Sequence, residues 1–173
     1  SVFLWLARNQ WLKTRLPRLW FMRRAGRRFM AGETMDDALL AAEPLQAAGI
    51  GTMYTRLGEN LTSLDEAEEV AEHYELLIER IVGAGLDGEV SVKPTQLGLD
   101  LDAEACFRLL ARLAARTAAA HSYLWLDMEG SDYTEPTIQL YERLRAEHPR
   151  TGVCLQAYLR RTAGDVGRLR PLD

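Results

Sequence analysis

The chain has 173 residues, 47% hydrophobic and 27% charged, with a net charge of −4, which suits one soluble globular domain with a sizeable core. No apolar run approaches the ~20 residues that a membrane-spanning helix needs. Two cysteines (Cys106, Cys154) and three histidines (His73, His121, His148) form no metal or redox spacing, so the thiols read as buried and reduced, as in an intracellular protein.

Residues 1–32 hold eight basic residues and no acid, leaving 13 basic against 25 acidic residues in 33–173. Trp5, Trp11, Trp20, Phe21 and Phe29 interleave with the arginines. This predicts a basic helical arm whose apolar face packs on the domain while its arginines meet the acidic remainder. Contact with a membrane surface is the alternative reading. No base-reading motif points to nucleic acid, and no small-residue cleavage site marks a signal peptide.

Gly32-Glu33-Thr34 opens a predicted helix from about Met35 to Ala48, with Pro44 marking its second half. Thr52–Leu57 reads as a first strand. Ser63-Leu-Asp-Glu66 is a capping box before a long amphipathic helix carrying Val70, Tyr74, Leu77, Ile78 and Ile81 at helical spacing. Gly83-Ala-Gly85 stops it, and the second strand runs to Lys93. Asp100 or Asp102 caps the third helix, whose Leu109, Leu110 and Leu113 face the core. A third strand ends at Asp127, and Thr134-Glu135-Pro136 begins the next helix, capped at its end by His148. The fourth strand is expected to end near Tyr158, and Asp165 to cap a last short helix that stops at Pro171.

Strand–helix alternation means a parallel sheet with right-handed crossovers. Two architectures fit, a small doubly wound domain or the first four units of a (β/α)8 TIM-type barrel. No Gly-x-Gly-x-x-Gly follows the first strand, which argues against dinucleotide binding. A full barrel takes about 250 residues, so four strands cannot close one. Lys93, Asp127 and Gln156 stand near the carboxyl ends of successive strands, the edge where ligands bind in such folds. In an extended strand Asp127 and Glu129 also point to one side, which allows a second reading as oxygen ligands of a divalent metal.

Five segments carry a resemblance: Arg27-Arg-Phe-Met-Ala-Gly-Glu-Thr34, Leu57-Gly-Glu-Asn60, Val92-Lys-Pro-Thr-Gln-Leu-Gly98, Leu126-Asp-Met-Glu-Gly-Ser131 with Tyr133-Thr134, and Leu155-Gln-Ala-Tyr-Leu-Arg-Arg161. In order and spacing the chain resembles the short, monofunctional bacterial proline dehydrogenases from about Arg24 onward. The resemblance implies a distorted (β/α)8 barrel that binds a flavin, FAD with FMN as the alternative. It implies oxidation of L-proline to 1-pyrroline-5-carboxylate, with electrons passed to a membrane quinone from a cytoplasmic protein at the inner membrane face. Lys93 matches the lysine that binds the substrate carboxylate, and Asp127 the active-site aspartate. Met128 matches a position whose backbone lies against the flavin, and Gln156 the glutamine that bonds the flavin ring. Thr55 stands where the family usually carries an aspartate. By the same resemblance Asp173 falls just before the fifth strand. The flavin-binding segment of that strand and the paired arginines that clamp proline are then expected beyond it. An inactive truncated relative acting through oligomerisation is the non-enzymatic alternative.

Overall fold

The structure, a computed structural model, describes Gly32, residues 34–58 and residues 61–172. The predicted basic arm over 1–32 lies outside the described residues, Gly32 apart. Two compact units divide at Glu43 and Pro44. In the first, Thr34 and Asp37 cap helix α1 (Met35–Ala47) reciprocally. The Thr34 hydroxyl accepts the Asp37 N–H at 3.1 Å, and the Asp37 carboxylate accepts the Thr34 N–H at 3.2 Å.

The second unit begins at Pro44, inside α1, and holds four strand–helix pairs. These are β1 (Thr52–Tyr54), α2 (Leu64–Gly83), β2 (Gly88–Val92), α3 (Ala103–Ala119), β3 (Leu124–Asp127), α4 (Thr134–Glu147), β4 (Thr151–Cys154) and α5 (Thr162–Leu169). Short 3-10 turns lie at Pro94–Leu97, Ser131–Tyr133 and Arg170–Leu172. All three strand pairings are parallel, in the order β1-β2-β3-β4. Helix α2 packs on α3 and α3 on α4, so the helices form one layer. A doubly wound sheet reverses its strand order at a switch point. This sheet never reverses, and the unit is an open arc of four β/α units of a barrel.

Local chemistry sets the helix starts. The Ser63 hydroxyl accepts the Glu66 N–H at 3.3 Å, and the Glu66 carboxylate reaches back to the Thr62 N–H at 2.6 Å. Asp102, rather than Asp100, caps α3, accepting the N–H groups of Glu104 and Ala105 at 2.9 and 3.0 Å. Asp165 corrects the expectation made of it: it lies inside α5, its carboxylate held by the Arg161 guanidinium at 2.8 and 2.9 Å.

Period-two alternation gives the sheet two unlike faces. Val90, Val92, Leu124 and Leu126 point into the helix layer with Tyr74, Ile78, Leu110, Leu113, Ile138 and Leu144, all buried. By register the other face carries Met53, Glu89, Ser91, Trp125, Asp127, Gly152 and Cys154. There the Trp125 indole N–H donates to Glu89 at 2.6 Å. Its ring lies across Gly152, where a Cβ would fall 2.3 Å from Trp125 Cζ3.

Two strands are shorter than expected. β1 stops at Tyr54 because the Arg56 backbone is bonded by side chains instead of a strand. β4 stops at Cys154, opposite Asp127, because β3 offers no partner further on. None of the described helices is long and apolar enough to cross a membrane.

Candidate functional site at the carboxyl edge of the sheet

Lys93 leaves β2 in extended conformation, and Pro94 turns the chain at once into the 3-10 segment. The Lys93 side chain reaches across to Asp127, with Nζ 2.8 Å from Oδ2. Their side chains are 23% and 35% exposed, shielded enough to hold the pair yet open to a ligand.

Past the strand ends the same two chain segments are tied again. Glu129 accepts the Thr95 N–H at 3.0 Å on Oε2 and the Thr95 hydroxyl at 2.6 Å on Oε1. Asp127 and Glu129 therefore serve different partners, one a lysine and one a backbone amide with a hydroxyl. Among the described residues no group of three or more His, Cys, Asp or Glu gathers as a metal centre would need. The metal reading loses its shared pair of ligands to these contacts.

Gln156 sits in the turn after β4, not on the strand. Its Nε2 donates to the Met128 carbonyl at 3.1 Å, and the Thr162 hydroxyl donates to its own carbonyl at 2.6 Å. Its side-chain Oε1 is buried and has no hydrogen-bond partner among the described residues. Met128 is itself 4% exposed. All four residues singled out from sequence thus meet: Lys93 with Asp127, Met128 next in chain, and Gln156 on the Met128 carbonyl.

A buried node on the β1 side was not singled out from sequence, although Gln96 lies in the Val92–Gly98 segment and Tyr74 on the apolar stripe of α2. The Tyr74 hydroxyl accepts the Arg56 N–H at 2.9 Å and donates towards the Ser91 carbonyl at 3.2 Å and Gln96 Oε1 at 3.4 Å. Gln96 Nε2 donates to the carbonyls of Arg56 at 2.9 Å and Gly58 at 2.5 Å. Burial pushes the Tyr74 hydroxyl above its ordinary pKa, against the pull of the Arg56 backbone and the Thr55 side chain. Thr55, exposed, thus neighbours that hydroxyl.

Two thiols flank the site. Cys106 lies under the Pro94 carbonyl at 3.4 Å, pushed up to about 12 by burial and then by the Glu129 charge. Cys154 is raised by burial and then by Asp127.

Residues 38–172 match the family model for proline dehydrogenase. The chain belongs to the proline dehydrogenase family. It is 35% identical to Proline dehydrogenase 1 of Bacillus subtilis subsp. natto over 174 residues, covering 99% of this chain and 56% of that protein. Identity to Proline dehydrogenase 1 of Bacillus subtilis strain 168 is 34% with the same coverage. The chain therefore spans about half the length of these curated relatives. Among solved structures it resembles proline utilization A from Bdellovibrio bacteriovorus, inactivated by N-propargylglycine. That likeness has a TM-score of 0.72 at 21% identity over 83% of this chain and 18% of that one, and it bears on the fold alone. The barrel-type arc of β1–β4 thus shares its fold with part of that protein.

Proposed function

We propose that this chain supplies the Lys93–Asp127 side of a site that oxidises L-proline to 1-pyrroline-5-carboxylate with FAD, electrons then passing to a quinone. The observation that carries the reading is the half-buried Lys93–Asp127 pair beside the Gln156–Met128 contact, in a chain of this family. Proline brings a carboxylate and a ring nitrogen, and oxidation removes a hydride from the adjacent ring carbon and a proton from the nitrogen. Lys93 supplies a point charge for the carboxylate. Asp127 keeps the lysine ammonium aimed before substrate arrives and favours cationic groups beside it, which orients the ring nitrogen. Pinning both ends at near-attack distance is worth more to the rate than any single contact.

The cofactor test rests on Gln156. A buried amide oxygen without a donor suits a flavin ring edge bearing N–H, and the Met128 backbone beside it offers a second polar neighbour. Gln156 and Met128 would hold the flavin, which when bound supplies the hydride acceptor. Quinone use and peripheral docking at the inner face of a membrane fit the basic, aromatic composition of residues 1–32. The test is anaerobic titration of the flavin-loaded protein with L-proline, using the chain extended to the length of its curated relatives. Bleaching of the flavin absorbance is expected, and its absence would overturn the assignment.

A further inference from the structure

We propose that Glu129 is a positioning residue for Lys93, acting through Thr95 to fix the root of the substrate-binding lysine. The inference rests on the proline-oxidising reading above and deepens it.

Strand pairing puts Val92 opposite Leu126. Continued by one residue, that register sets Lys93 opposite Asp127; by three, Thr95 opposite Glu129. Backbone pairing of these strands ends at Leu126, but side chains carry the register onward at both positions, by 2.8 Å and then by 3.0 and 2.6 Å. Asp127 grips the lysine at its ammonium. Glu129 grips the backbone two residues on, with both carboxylate oxygens used.

A lysine has four rotatable side-chain bonds, so its charge is placed only as well as its backbone and its counter-ion are held. Two further contacts among the described residues also hold the Lys93–Gln96 turn. The Cys106 thiol lies against the Pro94 carbonyl, and the buried Gln96 amide is spent on Arg56 and Gly58. Glu129 is the anchor that comes from the opposite strand end, and it is charged. When the substrate carboxylate takes a share of the ammonium, the Lys93–Asp127 grip weakens while the Thr95–Glu129 grip does not. The turn then stays in register through binding.

The test is a double-mutant cycle in the flavin-loaded protein with Glu129→Gln, Thr95→Val, both together, and Thr95→Ser as the conservative replacement. Since misplacing a binding group by an ångström costs up to about 100-fold, partial loosening here is expected to raise the KM for proline about 3- to 10-fold. The kcat should stay within about twofold, since the residues proposed to hold the flavin, Met128 and Gln156, are unchanged in every variant. Affinity for a cyclic carboxylate that cannot be oxidised, read from the flavin spectrum, should fall in parallel. The double variant should be no worse than the worse single one, and Thr95→Ser should match the parent. Unchanged KM in both single variants, or additive losses in the double, would overturn the proposal. Should Glu129→Gln fail to fold, the KM of Thr95→Val set against that of Thr95→Ser decides between the same two outcomes. A parent protein that bleaches with proline while its variants keep their KM removes this inference alone. A flavin-loaded parent indifferent to proline removes the functional reading and this inference with it.

Discussion

Lys93 and Asp127 form a pair whose worth lies in what it keeps ready. A half-buried ion pair adds little stability, but on the proposed reading it keeps an ammonium ready for a carboxylate. Charge-assisted hydrogen bonds are worth about 1.5–3 kcal/mol, so Lys93→Met should raise the KM for proline about 10- to 100-fold, measured by steady-state oxidation. Cys106 is the opposite case, a buried group that should do nothing. Its thiol is held near 12, so it should resist alkylation at neutral pH in the folded protein and react only on unfolding, as a timed mass-spectrometric assay would show. Since folding raises its pKa from 9.0, the stability it contributes is complete below pH 9 and is lost as pH rises towards 12. Residues of this kind were partly legible. Sequence placed Lys93, Asp127, Met128 and Gln156 at one edge, because strand ends and family segments coincide there. It did not show Gln96 bonded to Arg56, 40 positions away, since nothing local to either residue encodes that partner.

At the level of elements, the caps at Ser63 and Asp102 and the end of β3 at Asp127 were readable, while the ends of β1 and β4 were not. Ser63 and Asp102 act within three residues of their own positions, so their chemistry is written locally. Asp102→Ala should cost about 1 kcal/mol in denaturant unfolding. The ends of β1 and β4 depend on neighbours distant in sequence. The run from Gly152 to Tyr158 is apolar enough for a longer strand, yet pairing ceases where β3 ceases. Asp165 misled for a related reason: a helix-start residue by type, it is claimed by Arg161 one turn earlier. The same arginine, with Arg168, meets Glu135 of α4 and holds that carboxyl down to about 2. Folding lowers that pKa from 4.5, so its contribution is present above pH 4.5 and fades as pH falls towards 2. Amide exchange in α5 should therefore quicken on acidification through that window; exchange in α5 that stays constant down to pH 2 would contradict it.

Across the whole second unit the helix layer is laced with one polarity. Glu68 and Glu75 of α2 meet Arg112 and Arg116 of α3, Glu104 of α3 meets Arg143 of α4, and Glu135 and Glu142 of α4 meet Arg168 of α5. Each earlier helix gives carboxylates and each later one arginines. The Arg143 guanidinium also lies 3.6 Å over the Phe107 ring. Such exposed pairs are individually weak and screened, and the Debye length falls from about 10 Å at 0.1 M salt to about 3 Å at 1 M. The melting temperature should accordingly drop by a few degrees over that range at pH 7. The ties at the carboxyl edge have a different consequence, one for biosynthesis. Arg56 is linked to Gln96 over 40 positions, Lys93 to Asp127 over 34, and Met128 to Gln156 over 28. Each of these knots closes a single β/α repeat, and none of the three skips one. Loops of that size are entropically cheap to close, and their contacts form early. A nascent chain can therefore seal each repeat onto the one before as it leaves the ribosome. The contact of the lysine with its aspartate needs β2 and β3 alone, and neither β4 nor α5 has to be folded for it to form.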